Sequence, residues 1–109
     1  MSITFELEVG SDVEPLNFSN PNAAALMVLA GLPPSVDGAV RGEQLRACLR
    51  RLLQVVNSED VRSHAITGGA DAARWFEAAR TDEYVQRRAR ELLALFVSAR
   101  QHGCGVVWN

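Results

Sequence analysis

The chain has 109 residues and a mass of 11.9 kDa, which is the size of one compact domain. Hydrophobic residues make up 48% and charged residues 22% of the chain, so its composition argues against disordered, collagen-like and disulfide-rich proteins. A chain of this size buries enough surface to fold without a metal or a crosslink. We therefore expect residues 1–109 to form a single domain around one core.

The charges are unevenly distributed along the chain. The net charge of −2 argues against a general nucleic-acid coat protein, which would be strongly basic. Residues 1–40 carry five acidic and no basic residues (net −5), whereas residues 41–109 carry eleven basic and eight acidic residues (net +3). Every basic residue is arginine, which binds carboxylate and phosphate bidentately and suits an interface. The codon bias of a GC-rich genome is the simpler explanation of this preference.

The sequence contains no run of about 18 apolar residues that could span a membrane. Its first nine residues alternate, whereas a signal peptide would be continuously apolar there. We therefore expect a cytoplasmic protein with no membrane partner. Cys48 and Cys104 lack the CxxC spacing of zinc and redox sites, so we expect two reduced thiols, with Cys48 in the core.

A strand is predicted at the start of the chain. Between residues 3 and 9, apolar side chains alternate with Thr4, Glu6 and Glu8, as in a strand with one buried and one solvated face. Val9 would be the last residue of the buried face. Leu16–Phe18 follows as a second short extended segment.

A short apolar helix is predicted over Ala23–Ala30. The polar sequence Ser19–Asn22 precedes it, and side chains of this kind cap the unpaired N–H groups at the start of a helix. Pro21 suits a first helical position, and Gly31 ends the helix. We expect this helix to lie in the middle of the domain, with Asn20 as a capping residue.

A brief extended segment at Ala39–Arg41 and an amphipathic helix over Glu43–Val56 are predicted next. The apolar stripe of this helix consists of Leu45, Cys48, Leu49, Leu52, Leu53 and Val56. No sustained period follows over Glu59–Ala73. Ala72–Ala79 has the composition of a helix, although Arg74–Glu77 is equally compatible with a short strand against the sheet.

The strongest helix pattern begins after Thr81, a typical capping residue, and Gly103 ends it. Its buried stripe is Val85, Ala89, Leu92, Phe96 and Ala99. On another face, Glu83, Arg87 and Glu91 are four residues apart and predict a ladder of ion pairs. His102 lies in the last turn, where it would cap the helix end.

Val106–Trp108 predicts a terminal strand, and an apolar first strand and an apolar last strand each need a partner. We therefore expect an α+β fold with a small, mainly antiparallel sheet of two to four short strands. The N- and C-terminal strands would pair, and three helices would cover one face of the sheet.

The motifs of common enzyme classes are absent from the sequence. It contains no GxGxxG, P-loop, GxSxG, HExxH or calcium-loop motif. Neither His64 nor His102 has a second ligand at metal-binding spacing, so we expect no metal and no cofactor. The protein is therefore predicted not to be an enzyme.

Aromatic residues and arginines are interleaved in one part of the chain only, which makes it the candidate partner-binding site. The predicted site residues are Arg74, Trp75, Arg80, Tyr84, Arg87 and Arg88. This composition is typical of protein interfaces and also of platforms that stack single-stranded nucleic acid. Burial of Trp75 or Tyr84 in the core is the alternative interpretation of these aromatic residues.

Several motifs resemble those of a family of small uncharacterised bacterial and phage-type proteins. They are an N-x-S-N-x-N box within Leu16–Ala23, the segment Leu29–Leu32, a Y-hydrophobic-x-R-R motif at Tyr84–Arg88, the segment Leu92–Leu95 and a V-V-W strand at Val106–Trp108. The resemblance covers both ends of the chain, and the middle departs from it. It implies a fold and a mobile-element setting, and it assigns no reaction.

The leading functional hypothesis is a non-enzymatic module that binds another protein or a ribonucleoprotein. With the mobile-element resemblance, one version is a phage inhibitor of a bacterial defence complex such as a CRISPR effector. A second hypothesis is a small-molecule-binding or enzymatic domain that uses the Asn20 box and His64. A third is direct nucleic-acid binding, against which the negative net charge argues. In this third hypothesis the nucleic acid would be bound by Arg46, Arg50, Arg51, Arg87 and Arg88.

Overall fold

A computed structural model describes residues 2–9, 12–57 and 82–109 of the chain. In chain order the elements are β1 (Ser2–Leu7), β2 (Leu16–Ser19), α1 (Asn20–Leu29), β3 (Gly38–Val40), α2 (Gly42–Val56), α3 (Asp82–His102) and β4 (Val106–Trp108). The predicted α+β class is confirmed. The predictions for residues 59–79, and Thr81 as a cap, lie outside the described residues.

The four strands form one antiparallel sheet in the order β2-β1-β4-β3. At its centre, β1 pairs with β4, so that Phe5 lies opposite Trp108 and Leu7 opposite Val106. The predicted pairing of the first and last strands is therefore confirmed. The two short strands β2 and β3 are the edges of the sheet.

Alternation along β1 separates the two faces of the sheet. Ile3, Phe5 and Leu7 are buried beneath the helices, whereas Glu6 is exposed on the other face. Val9 was expected on the buried face but is 60% exposed. The reason is that β1 ends at Leu7, and a strand's alternation no longer positions a side chain once the strand has ended.

An aromatic row crosses the buried face of the sheet. The ring of Phe5 lies between Phe18 on β2 and Trp108 on β4, with centroid distances of 5.6 and 5.4 Å. The row ends over Gly38, where an added Cβ would lie 2.6 Å from Cζ2 of Trp108. The indole therefore fills the space above Gly38 and covers the edge strand β3.

The three helices of the described residues complete the core. Helix α1 is apolar on nearly all sides and mostly buried, as predicted for a central helix. The predicted stripe of α3 is confirmed, because all five of its residues are buried. In α2, Cys48 is buried as predicted, but Leu53 is 47% exposed. The buried side chains of α2 recur at Leu49, Leu52 and Val55, and Leu53 lies beyond the edge of that stripe.

Candidate functional site

The predicted partner-binding residues that the structure describes lie on the first turns of α3. Tyr84 is half-buried and Arg87 is exposed, and the Arg87 guanidinium carbon lies 5.2 Å from the centroid of the Tyr84 ring. This distance is within the range of a cation–π contact. Arg74, Trp75 and Arg80 lie outside the described residues, so their part in the site stays a prediction.

Arg88 makes contacts within the fold. Its guanidinium lies 4.3 Å from the centroid of the Phe18 ring and donates a hydrogen bond to the Asn17 carbonyl oxygen at 2.6 Å. The Arg88 guanidinium also pairs with Glu91, whose expected partner was Arg87. Only 20% of the Arg88 side chain is exposed. Arg88 therefore connects α3 to strand β2, while its neighbour Arg87 faces outward.

A line of exposed residues runs along α3 on the side of Arg87. Its members are three or four residues apart, the spacing of one helix face. They are Glu83, Arg87, Arg90, Ala94, Val97 and Gln101. We call this line the α3 outer face, and it is about 27 Å long at 1.5 Å per residue. Beside its first turns lies a depression of about 480 Å³, which Tyr84, Arg87 and Arg90 help to line.

A second feature lies where the ends of β1, β3 and β4 meet. The Arg41 Nε donates a hydrogen bond to the Glu8 carboxylate at 2.6 Å, and the Glu8 N–H donates to the Gly105 carbonyl oxygen at 2.9 Å. The chain passes so close here that a Cβ on Gly105 would lie 2.5 Å from the Val40 carbonyl oxygen. The hydrogen bond from Arg41 holds the pKa of Glu8 below its ordinary value of 4.5.

These residues form one wall of a cleft of about 390 Å³, which we call the Arg41 cleft. Its lining includes Glu8, Arg41, Arg46, Arg100, Cys104 and Gly105. The Cys104 thiol is half-buried there, whereas Cys48 lies in the core, where burial raises the pKa of its thiol. Sequence reasoning missed this cleft because its residues are far apart in the chain and carry no motif.

The Glu8–Arg41 pair predicts a pH dependence of stability. Because the pKa of Glu8 is lowered on folding, the pair stabilises the fold above the unfolded pKa, and this contribution is lost as the pH falls through the folded pKa. We expect Glu8→Gln to reduce the loss of stability on acidification below about pH 4.5. Urea unfolding at several pH values measures the effect. Parallel pH profiles for the wild type and the variant would contradict it.

The polar box before α1 does not cap the helix as predicted. Helix α1 begins at Asn20, three residues early, and Ser19 occupies the N-cap position without a side-chain hydrogen bond. Ser19 is also the last residue of β2, where side chains stand out from the sheet. Asn17 instead binds strand β1, because its amide nitrogen donates to the Thr4 hydroxyl at 2.9 Å.

The position of the Asn20 side chain changes what its substitution is expected to do to stability. The Asn20 side-chain oxygen is buried and has no hydrogen-bond partner among the residues that the structure describes, and it lies beside a small apolar pocket lined by Ile3, Ala24 and Val36. Asn20→Ala removes this unpaired acceptor, so we expect the free energy of unfolding to fall by less than about 0.5 kcal/mol or to rise. A cap would instead contribute about 1 kcal/mol. Urea unfolding distinguishes the two, and a loss of the larger size would show that Asn20 acts as a cap.

The described part of the chain contains neither a three-residue metal cluster nor a membrane-spanning helix. Residues 2–9, 12–57 and 82–109 contain no group of three His, Cys, Asp or Glu side chains that could hold a metal ion. No helix among them is both long and apolar enough to cross a membrane. The His102 Nδ1 donates to the Ser98 carbonyl oxygen at 2.7 Å, which agrees with the predicted role at the helix end. His64 lies outside the described residues.

Comparison with known proteins identifies the family without giving a function. A family model described as a domain of unknown function, DUF1840, matches residues 1–108. No curated protein and no solved structure matches the chain. The match supports the resemblance to a small uncharacterised family. Because it spans nearly the whole sequence, the chain belongs to the DUF1840 family.

Proposed function

We propose that this protein is a non-enzymatic binding module and that the α3 outer face, together with Tyr84, binds an acidic surface of another protein. The observation that carries the proposal is the exposed Arg87 guanidinium over the Tyr84 ring. An arginine stacked on an aromatic ring loses less freedom on binding, and both residue types are enriched at interface hot spots.

The rest of the α3 outer face supports a protein partner. Its two arginines, Arg87 and Arg90, outnumber Glu83, so the face complements an acidic surface. Val97 is a large apolar side chain that is 38% exposed on the same line. A protein interface commonly combines an apolar contact of this kind with surrounding arginines.

The nucleic-acid alternative is less well supported by the positions of its arginines. Arg88 contacts Asn17 and Phe18, Arg46 pairs with Glu43, and the Arg51 Nε donates weakly to a carbonyl oxygen of α1 at 3.5 Å. Arg88 is therefore committed to contacts within the fold, whereas the exposed pair of Arg46 can exchange for a ligand and the contact of Arg51 is weak. Only the mobile-element resemblance points to a bacterial defence complex as the partner. We therefore propose a protein partner without specifying its class.

The proposal is tested by affinity capture from a bacterial lysate treated with nuclease, followed by titration of the captured protein in purified form. Arg87→Glu should weaken binding by about thirtyfold, which corresponds to the loss of one hot spot of ~2 kcal/mol. Arg50→Glu is the matched control. It reverses the same charge on an exposed residue of α2, outside the proposed face.

The outcomes separate the alternatives. Capture that depends on Arg87 but not on Arg50 supports the α3 outer face. Equal loss with both variants, or capture that nuclease abolishes, would indicate nucleic-acid binding through the arginine-rich helices. If no captured protein is sensitive to Arg87→Glu while that variant remains folded, the proposal is wrong.

A further inference from the structure

We propose that the Arg41 cleft binds a small anion carrying two or more oxyanion groups, such as phosphates or carboxylates. Its lining among the described residues includes three guanidiniums from the ends of two helices: Arg41 at the N-cap of α2, Arg46 in the first turns of α2 and Arg100 near the end of α3. Among the described residues of the lining Glu8 is the only acidic one, so that these residues carry a net charge of +2. This local charge is opposite in sign to the net −2 of the chain.

The arginines retain capacity for a ligand. Glu8 accepts a hydrogen bond from the Nε of Arg41, and the two terminal nitrogens of that guanidinium have no partner among the described residues. The Arg100 side chain likewise has no hydrogen-bond or ion-pair partner among residues 2–9, 12–57 and 82–109. Arg46 pairs with Glu43, but both are exposed and such surface pairs exchange readily for a ligand. Glu8 thus fixes the Arg41 guanidinium in place and leaves its two terminal nitrogens available to bind an oxyanion group bidentately.

The backbone around the cleft leaves an anion room to approach. The described part of the lining includes the glycines Gly42, Gly103 and Gly105, so a ligand can approach the main chain closely. The negative end of α3 opposes an anion, but two of its carbonyl groups are already paired, because Gly103 and Cys104 donate their N–H groups to the carbonyl oxygens of Arg100 and Ala99. The volume of about 390 Å³ lies within the range of small-molecule sites.

The cleft lies at the opposite end of α3 from the Arg87–Tyr84 contact that carries the proposed protein interface, and only Gln101, the last residue of the α3 outer face, is next to Arg100 in the chain. Arg100 and Arg87 are thirteen residues apart on α3, which corresponds to about 20 Å along the helix. Either proposal can therefore fail without the other.

Isothermal titration calorimetry of the full chain with pyrophosphate, with citrate and with uncharged glucose tests the site. We expect pyrophosphate and citrate to bind and glucose not to bind. The anion with the higher affinity shows whether the cleft prefers phosphate or carboxylate groups. Arg100→Gln and Arg41→Gln should each weaken binding about tenfold, as expected when a charge-assisted hydrogen bond is lost. Arg50→Gln makes the same charge change outside the cleft and should leave affinity within about twofold.

Cys104 provides a second measurement at the same site. Bound anion should slow the reaction of its thiol with N-ethylmaleimide several-fold in the wild type, and Cys104→Ser should remove this reaction because Cys48 is buried. The proposal is overturned if neither anion binds at millimolar concentration. It is also overturned if Arg50→Gln weakens binding as much as Arg100→Gln, or if a saturating anion leaves the Cys104 rate unchanged.

Discussion

Deletion of residues 106–109 is expected to abolish folding at 25 °C. Strand β4 lies between β1 and β3, so its removal separates the two halves of the sheet and eliminates both sets of ladder hydrogen bonds. It also removes Val106 and Trp108, which are 0% and 6% exposed. Loss of a buried Trp side chain alone costs about 3–5 kcal/mol, a large part of the ~5–15 kcal/mol that stabilises a typical domain.

Circular dichroism and thermal unfolding measure this effect, and point variants make it quantitative. Trp108→Ala should lower the free energy of unfolding by about 3–5 kcal/mol, because the indole contacts Phe5 and fills the space above Gly38. Val107→Ala is the matched control in the same strand. Its side chain is only half-buried on the other face, so we expect a loss of about 1 kcal/mol or less. If the deletion variant melted at the wild-type temperature, the assignment of β4 as a central strand of the sheet would be wrong.

Gly105→Ala should lower the free energy of unfolding by about 3 kcal/mol, the upper range for overpacking. The added Cβ would lie 2.5 Å from the Val40 carbonyl oxygen and 2.6 Å from the Cγ of Arg41. The first of these atoms belongs to the backbone of an edge strand, so relief requires β3 or β4 to shift. We also expect the Glu8–Arg41 hydrogen bond to be lost, because the Cβ would occupy the space that the Arg41 stem crosses.

Gly42→Ala is the control for Gly105. Its φ of +56° makes alanine strained, but no atom lies within 4 Å of the added Cβ. The expected loss is therefore only the backbone term of about 1–2 kcal/mol. Urea unfolding of the two variants separates steric overlap from conformational strain. A smaller loss for Gly105→Ala than for Gly42→Ala would contradict the close approach at Gly105.

The sequence predicts the elements of this fold well because burial repeats along each of them. Alternation from Ile3 to Leu7 and the helical spacing from Val85 to Ala99 reflect one buried face each, and the structure confirms both. The pairing of the terminal strands also follows from the sequence, since β1 and β4 are apolar and each needs a partner. The end of β1 could not be predicted, because Val9 continues the alternation although the strand has already ended.

The functional surfaces depend on contacts between distant parts of the chain, which periodicity does not reveal. Arg87 and Arg88 are neighbours in the sequence, yet a rotation of about 100° between them places only Arg88 against Phe18 and Asn17. The Arg41 cleft depends on a bend after β1 that brings Glu8 to a residue 33 positions later. The missing cap at α1 has a similar cause, since Ser19 also belongs to strand β2.

The division of roles between Arg87 and Arg88 is the central claim about the site, and one paired measurement tests it. The captured partner is titrated against Arg87→Glu and Arg88→Ala, with urea unfolding of each variant as the reference. We expect Arg88→Ala to lower the free energy of unfolding by about 2 kcal/mol, through the lost charged hydrogen bond to Asn17, and to leave affinity within about twofold.

Arg87→Glu should change the free energy of unfolding by less than about 0.5 kcal/mol, because its side chain is exposed, and should weaken the partner's binding by about thirtyfold. The opposite pattern, with affinity lost in folded Arg88→Ala and retained in Arg87→Glu, would contradict the assignment of the α3 outer face as the binding surface.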